Sequence, residues 1–135
     1  AVGTAGTIRG IADCIHEHDA GVKIFAVEPA ETDTKLTGIH NFTEVPEERI
    51  PPSLKKDGKL TDSVFDEVFV ADTEGAFEAA RTVAKTDGIL VGNSSGAALW
   101  GAAKIASRKE FEGKNIVVIF PDTGLRYLST GLFGE

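Results

Sequence analysis

Apolar residues recur at Ile8, Ile11, Ala12 and Ile15, with Arg9, Asp13, His16 and Glu17 mostly off that stripe, so the spacing predicts an amphipathic helix from Thr7. Gly21 supplies a stop, and the run "KIFAVEP" from Lys23 to Pro29 predicts a strand buried on both faces. Residues 30–63 then lose all sustained periodicity, carry Pro46, Pro51 and Pro52, and predict a long loop of the kind used as a lid or binding loop, or left disordered. Order resumes at "DEVFVAD", where Val68, Phe69 and Val70 predict a strand. Asp72 or Thr73 then caps a helix that carries Ala76, Phe77, Ala80, Val83 and Ala84 on one face and stops at Gly88. "GILVGNSSGAA" predicts a third strand at 89–91 and a helix through Leu99, Ala102, Ala103 and Ala106. "NIVVIFPDTG" predicts a fourth strand at 116–120, ended by Pro121. Alternating strands and helices indicate an α/β fold, a parallel twisted sheet with helices on both faces, and ligands at the carboxyl ends of the strands.

Composition narrows this to one domain, 1–135, because 135 residues with 41% hydrophobic content fill one core and not two. A net charge of −7, with no basic block longer than Lys55-Lys56, excludes the nucleic-acid backbone as a partner and leaves small molecules or protein. Cys14 is the single cysteine, which excludes an intrachain disulfide and a cysteine-based zinc site and fits a reducing compartment. The apolar runs are too short for a membrane span and none follows a basic N-terminal region, so a cytoplasmic protein is expected.

Three glycine-bearing polar turns stand where a ligand is expected. In "GTAGT", Gly3 and Gly6 allow close backbone approach, Thr4 and Thr7 bring hydroxyls, and the following helix points its positive end outward. Spacing alone leaves two readings open, an anion loop or a plain glycine-rich helix start, since neither a dinucleotide fingerprint nor a Walker A lysine is present. Ser94 and Ser95 fit helix capping, and no downstream histidine exists to make a serine nucleophile. Asp122 fits either a site carboxylate or a turn former. His16 and His18 point to different helix faces and cannot share a metal; no metal site is expected. His40 reads as a loop residue that reaches a site only if the loop folds over it, while Trp100 and Cys14 read as packing residues.

In order along the chain, "GTAGTIRGI", "FAVEPAE", "GAFEAAR", "GILVGNSSGAA" and "VVIFPDTGLRYLST" resemble the C-terminal part of the cysteine synthase (O-acetylserine sulfhydrylase) family, tryptophan-synthase β-like, fold type II pyridoxal-phosphate enzymes. The resemblance fails mainly across 33–62. It implies an incomplete C-terminal part of that fold. It implies pyridoxal 5'-phosphate as cofactor, its phosphate held by Gly3, Thr4, Ala5, Gly6 and Thr7, its ring nitrogen bonded by Ser94, and Pro121 and Asp122 near the same ring edge. A neutral hydroxyl at the nitrogen leaves the ring a weaker electron sink than an aspartate would, which suits β-elimination and β-replacement.

The implied reaction makes L-cysteine from O-acetylserine, or a related activated serine, and sulfide. The Schiff-base lysine and the loop gripping the substrate carboxylate are expected in the N-terminal half, so no catalytic residue is expected in this chain and the isolated chain is expected to be inactive. Its expected partners are that half, the amino-acid substrate, the sulfur nucleophile and a second copy in a homodimer. Two departures stand out: Ala5 replaces a loop glycine, costing about 1 kcal/mol if that position needs positive φ, and "GIHNF" at 38–42 replaces the family's "GIGAGF". Cystathionine β-synthase-like or other β-substituted alanine synthases therefore remain as alternatives, as does a non-catalytic module binding a phosphate ligand or a partner. A missing half is further expected to leave an apolar face open and to make the chain associate.

Overall fold

A computed structural model describes residues 1–18, 21–61 and 63–134. Helix α1, Gly6–His18, starts at the loop after Val2, and the Ala5 carbonyl accepts its first helical hydrogen bond from Arg9. Strand β1 is Phe25–Pro29. A short hairpin, β2 (Lys55–Lys56) and β3 (Lys59–Leu60), turns through Asp57 and Gly58, both at positive φ as a two-residue hairpin requires. Strand β4, Glu67–Ala71, pairs parallel with β1 in the register Phe25↔Glu67 to Pro29↔Ala71. Helices α2, Thr73–Thr86, and α3, Asn93–Ala106, complete the regular elements.

The chain is α/β, and alternation along β1 sorts its two cores. Ala26 enters one core with Ala12, Phe42, Ile50 and Leu54 beneath α1; Val27 enters the other with Ala76, Phe77, Ala80 and Ala97 from α2 and α3. Helices thus lie on both faces. Asp72 caps α2, accepting from the Gly75 amide at 2.7 Å, and α2 meets α3 closely because a Cβ on Gly96 would collide with the Ala76 carbonyl. Arg108, beyond α3, forks onto Glu67 with both nitrogens at 2.6 Å and stacks 5.0 Å over Phe69.

Two expected strands do not form. Residues 89–91 keep only an antiparallel bridge, Val91 to Thr123. Residues 116–120 have no ladder partners among the described residues, and Val117 is 87% exposed. A strand is a paired object: a β-rich apolar run with no neighbouring strand beside it has nothing to bond its backbone. The sheet is accordingly a two-stranded parallel ladder. The long stretch after β1 is more ordered than a free lid, since Leu36, Ile39, Phe42, Ile50 and Leu54 are each no more than 6% exposed. Cys14, expected to pack, is exposed on α1; Trp100 does pack against the α2–α3 core, with Lys104 over its ring at 5.2 Å.

Candidate anion and cofactor site

The Val2 amide donates to the Val27 carbonyl at 2.9 Å, which sets residues 3–7 beside the carboxyl half of β1. None of the amides from Gly3 to Ile8 donates to a described residue, and Thr4, Gly6 and Thr7 are exposed. Free amides, two unbonded hydroxyls and the N-terminus of α1 lie in one short stretch here, the kind of donor set an anion needs. Ala5 is buried at φ 65°, so the strain foreseen for a non-glycine residue is present. Gly3 has a different reason to be glycine: a Cβ would run into the Gly38 carbonyl oxygen.

That carbonyl belongs to a strap, residues 35–43, that folds back over the loop. The His40 amide donates to the Val2 carbonyl at 3.0 Å, while the His40 side chain stays exposed. On its other side the strap meets α3, where Asn93 Nδ2 donates to the Lys35 carbonyl at 3.1 Å and to Thr37 Oγ1 at 3.3 Å. The strap therefore touches both the Gly3 loop and the α3 N-terminus.

Ser94 is 8% exposed and its hydroxyl has no partner among the described residues; Ser95 is fully buried, its hydroxyl 3.5 Å from the Asp122 carbonyl. Neither serine side chain caps α3. Asp122 Oδ2 accepts from the Tyr127 hydroxyl at 2.6 Å, and the Asp122 carbonyl accepts from the Gly92 amide at 3.3 Å. Its hydrogen bond to Asp122, with burial, pushes the Tyr127 phenol up, while a bond from Thr37 opposes this. Asn93 thus bonds Thr37, and Tyr127 bonds Asp122. Asn93 Oδ1 and Asp122 Oδ1 are enclosed and unpartnered, and the Asp122 carboxylate fills the space where a side chain on Gly92 would lie. Pro121 is exposed beside it. His16 and His18 lie exposed on α1, and no cluster of metal-ligating side chains exists among the described residues.

Asn93, Thr37, Tyr127 and Glu28 did not stand out in the sequence. Glu28 had a signal, a lone carboxylate inside an apolar strand. The other three carried none.

A family model described as pyridoxal-phosphate dependent enzyme matches residues 1–122. The chain belongs to that family. Among its relatives, a cysteine synthase of Buchnera aphidicola is 40% identical, over all of this chain and 44% of its own length. An O-acetylserine dependent cystathionine beta-synthase of Bacillus subtilis is 36% identical, over 97% of this chain and 41% of its own. The crystal structure of a cysteine synthase from Entamoeba histolytica superposes with a TM-score of 0.78 and 41% identity, covering 98% of this chain and 38% of that one. The chain spans about two fifths of the length of the relatives it matches.

Pyridoxal phosphate is the family's cofactor, and the residues present fit it. The unbonded amides of the Gly3 loop suit a phosphate dianion, and the unpartnered hydroxyl of the largely buried Ser94 suits a ring nitrogen. No described helix is long and apolar enough to cross a membrane.

Proposed function

We propose that this chain is the cofactor-holding portion of a β-replacement enzyme that makes L-cysteine from O-acetylserine, or a related activated serine, and sulfide. The observation that carries the reading is the row of undonated amides from Gly3 to Ile8 at the start of α1, backed by five family motifs in order.

Gly3, Thr4, Ala5, Gly6 and Thr7 bind the phosphate through amides and hydroxyls, and α1 adds its positive end. Ser94 fixes the ring nitrogen with a neutral hydroxyl. Pyridoxal phosphate supplies the electron sink that lets the substrate's β-leaving group depart and a nucleophile replace it. Asp122, held by Tyr127 and the Gly92 amide, forms the wall of the ring edge together with Pro121. Asn93 orients the strap, which shields the loop's inner side from water.

The proton-abstracting lysine and the carboxylate-gripping loop lie in the complementary N-terminal half in this reading, and the complete enzyme is a cytoplasmic homodimer. A second reading concerns the acceptor alone: the Bacillus subtilis relative and the altered 38–42 segment support an acceptor larger than sulfide. The test is reconstitution. Chain joined to a family N-terminal half should gain the visible absorbance of bound cofactor and form cysteine only when both O-acetylserine and sulfide are present. Cofactor uptake with no sulfide-dependent product would leave the cradle and refute the reaction.

A further inference from the structure

The Glu28 side chain is fully buried on β1, yet it bonds nothing in the sheet. Its carboxylate reaches across to the strap. Oε2 accepts from the Phe42 amide at 2.7 Å and from the Thr43 amide at 3.1 Å, and Oε1 accepts from the Thr43 hydroxyl. Asn41 Nδ2 adds a bond to the Pro29 carbonyl at 3.4 Å, and Asn41 Oδ1 accepts from the Glu44 amide at 3.0 Å.

These bonds decide where the rest of the strap can go. Phe42 is anchored in the α1 core, whereas Leu36 and Ile39 are anchored in the α2–α3 core, so the strap crosses from one core to the other within seven residues of chain, 36–42. Gly38, at φ 86°, turns the chain just before Ile39 and is the residue that abuts Gly3, and the crossing follows between Ile39 and Phe42. The amide of His40, two residues from Phe42, is the bond that ties the strap to the Gly3 loop through Val2. Buried amides that lose their acceptor must be rehydrated or rebonded, so removing the carboxylate frees residues 41–43 and with them the His40 bond.

We propose that Glu28 is a positioning residue of the site: its buried carboxyl latches residues 41–43 so that Gly38 and His40 stay seated against the phosphate loop. The role is geometric. Glutamine can accept both amides on its one oxygen and donate to the reversed Thr43 hydroxyl, keeping all three contacts; aspartate keeps the charge but falls one methylene short. The latch is read from the fold. Its relevance to the cofactor rests on the function proposed above.

Amide hydrogen exchange at His40, together with calorimetric titration of inorganic phosphate, tests both levels. The E28Q variant should keep His40 protection and phosphate affinity within about twofold of the parent chain, while E28A and E28D should lose roughly tenfold in each. Should E28A fail to fold, T43V removes one donor of the three and should still cost several-fold in His40 protection. Unchanged His40 protection in E28A, or in T43V where that is the folded variant, overturns the latch, and so does E28D outperforming E28Q. Failure of the parent chain to bind phosphate, with the exchange pattern as expected, overturns the cofactor reading and leaves the latch standing.

Discussion

The side-chain amide of Asn93, first residue of α3, donates to the backbone carbonyl of Lys35 at 3.1 Å, joining positions 58 residues apart. Through this bond, and a second to Thr37, the helix that carries Ser94 is registered against the strap that covers the Gly3 loop. Replacing Asn93 by alanine removes these two bonds, but it also removes the unpartnered Oδ1. The two effects oppose, so N93A should cost only about 1 kcal/mol in stability. Urea denaturation of parent and variant reads the difference.

Ala5 offers the converse case, a substitution that should stabilise. Its φ of 65° costs a β-carbon-bearing residue about 1–2 kcal/mol, and losing one buried methyl returns about 0.8 kcal/mol of that. A5G should therefore gain up to about 1 kcal/mol in the same denaturation experiment. A loss of stability would mean that the methyl's packing outweighs the backbone strain.

The Arg108–Glu67 fork predicts a pH dependence with a defined sign. The hydrogen bonds from Arg108 lower the Glu67 carboxyl below its usual value. A depressed acid contributes stability that is present above its unfolded value of 4.5 and is lost as pH falls through the folded value. R108M should therefore lower the melting temperature at neutral pH, and the gap from the parent should close in acid below that window. High salt should narrow the gap as well, because both groups are partly exposed.

How much of this was legible beforehand follows from what each element depends on. The α2 cap was readable because Asp72 acts on an amide three residues away, and β1 and β4 were readable from short apolar runs between breakers. Residues 116–120 carried as strong a strand pattern, "IVVIF", but pairing depends on a neighbour the pattern cannot supply. The loop at 30–63 looked aperiodic because its buried residues are split between two cores, Leu36 and Ile39 in one and Phe42, Ile50 and Leu54 in the other, rather than lining one face. The glycines and threonines of residues 3–7 left an anion loop and a plain helix start equally open, and the structure adds that their amides are free. Nothing local marked Asn93, Thr37 or Tyr127, whose meaning lies in contacts across the chain.

Exposed Val117, Ile119 and Phe120, with Leu125 and Leu128 nearby in sequence, form an unpaired β-rich segment. Such segments recruit other chains. The chain should show concentration-dependent association by sedimentation velocity, and V117K with I119K should shift it toward monomer without loss of helical signal. A parent chain that stays monomeric at high concentration would contradict this expectation.

The central claim is that residues 3–7 and the start of α1 hold a phosphate group, and comparing pyridoxal 5'-phosphate with pyridoxal by calorimetry isolates that group. The phosphorylated form should bind at least roughly tenfold tighter, a difference of about 1.4 kcal/mol. Gly3→Ala, whose methyl meets the Gly38 carbonyl, should erase most of that advantage. Equal affinity for the two forms, or an advantage untouched by Gly3→Ala, would contradict the account.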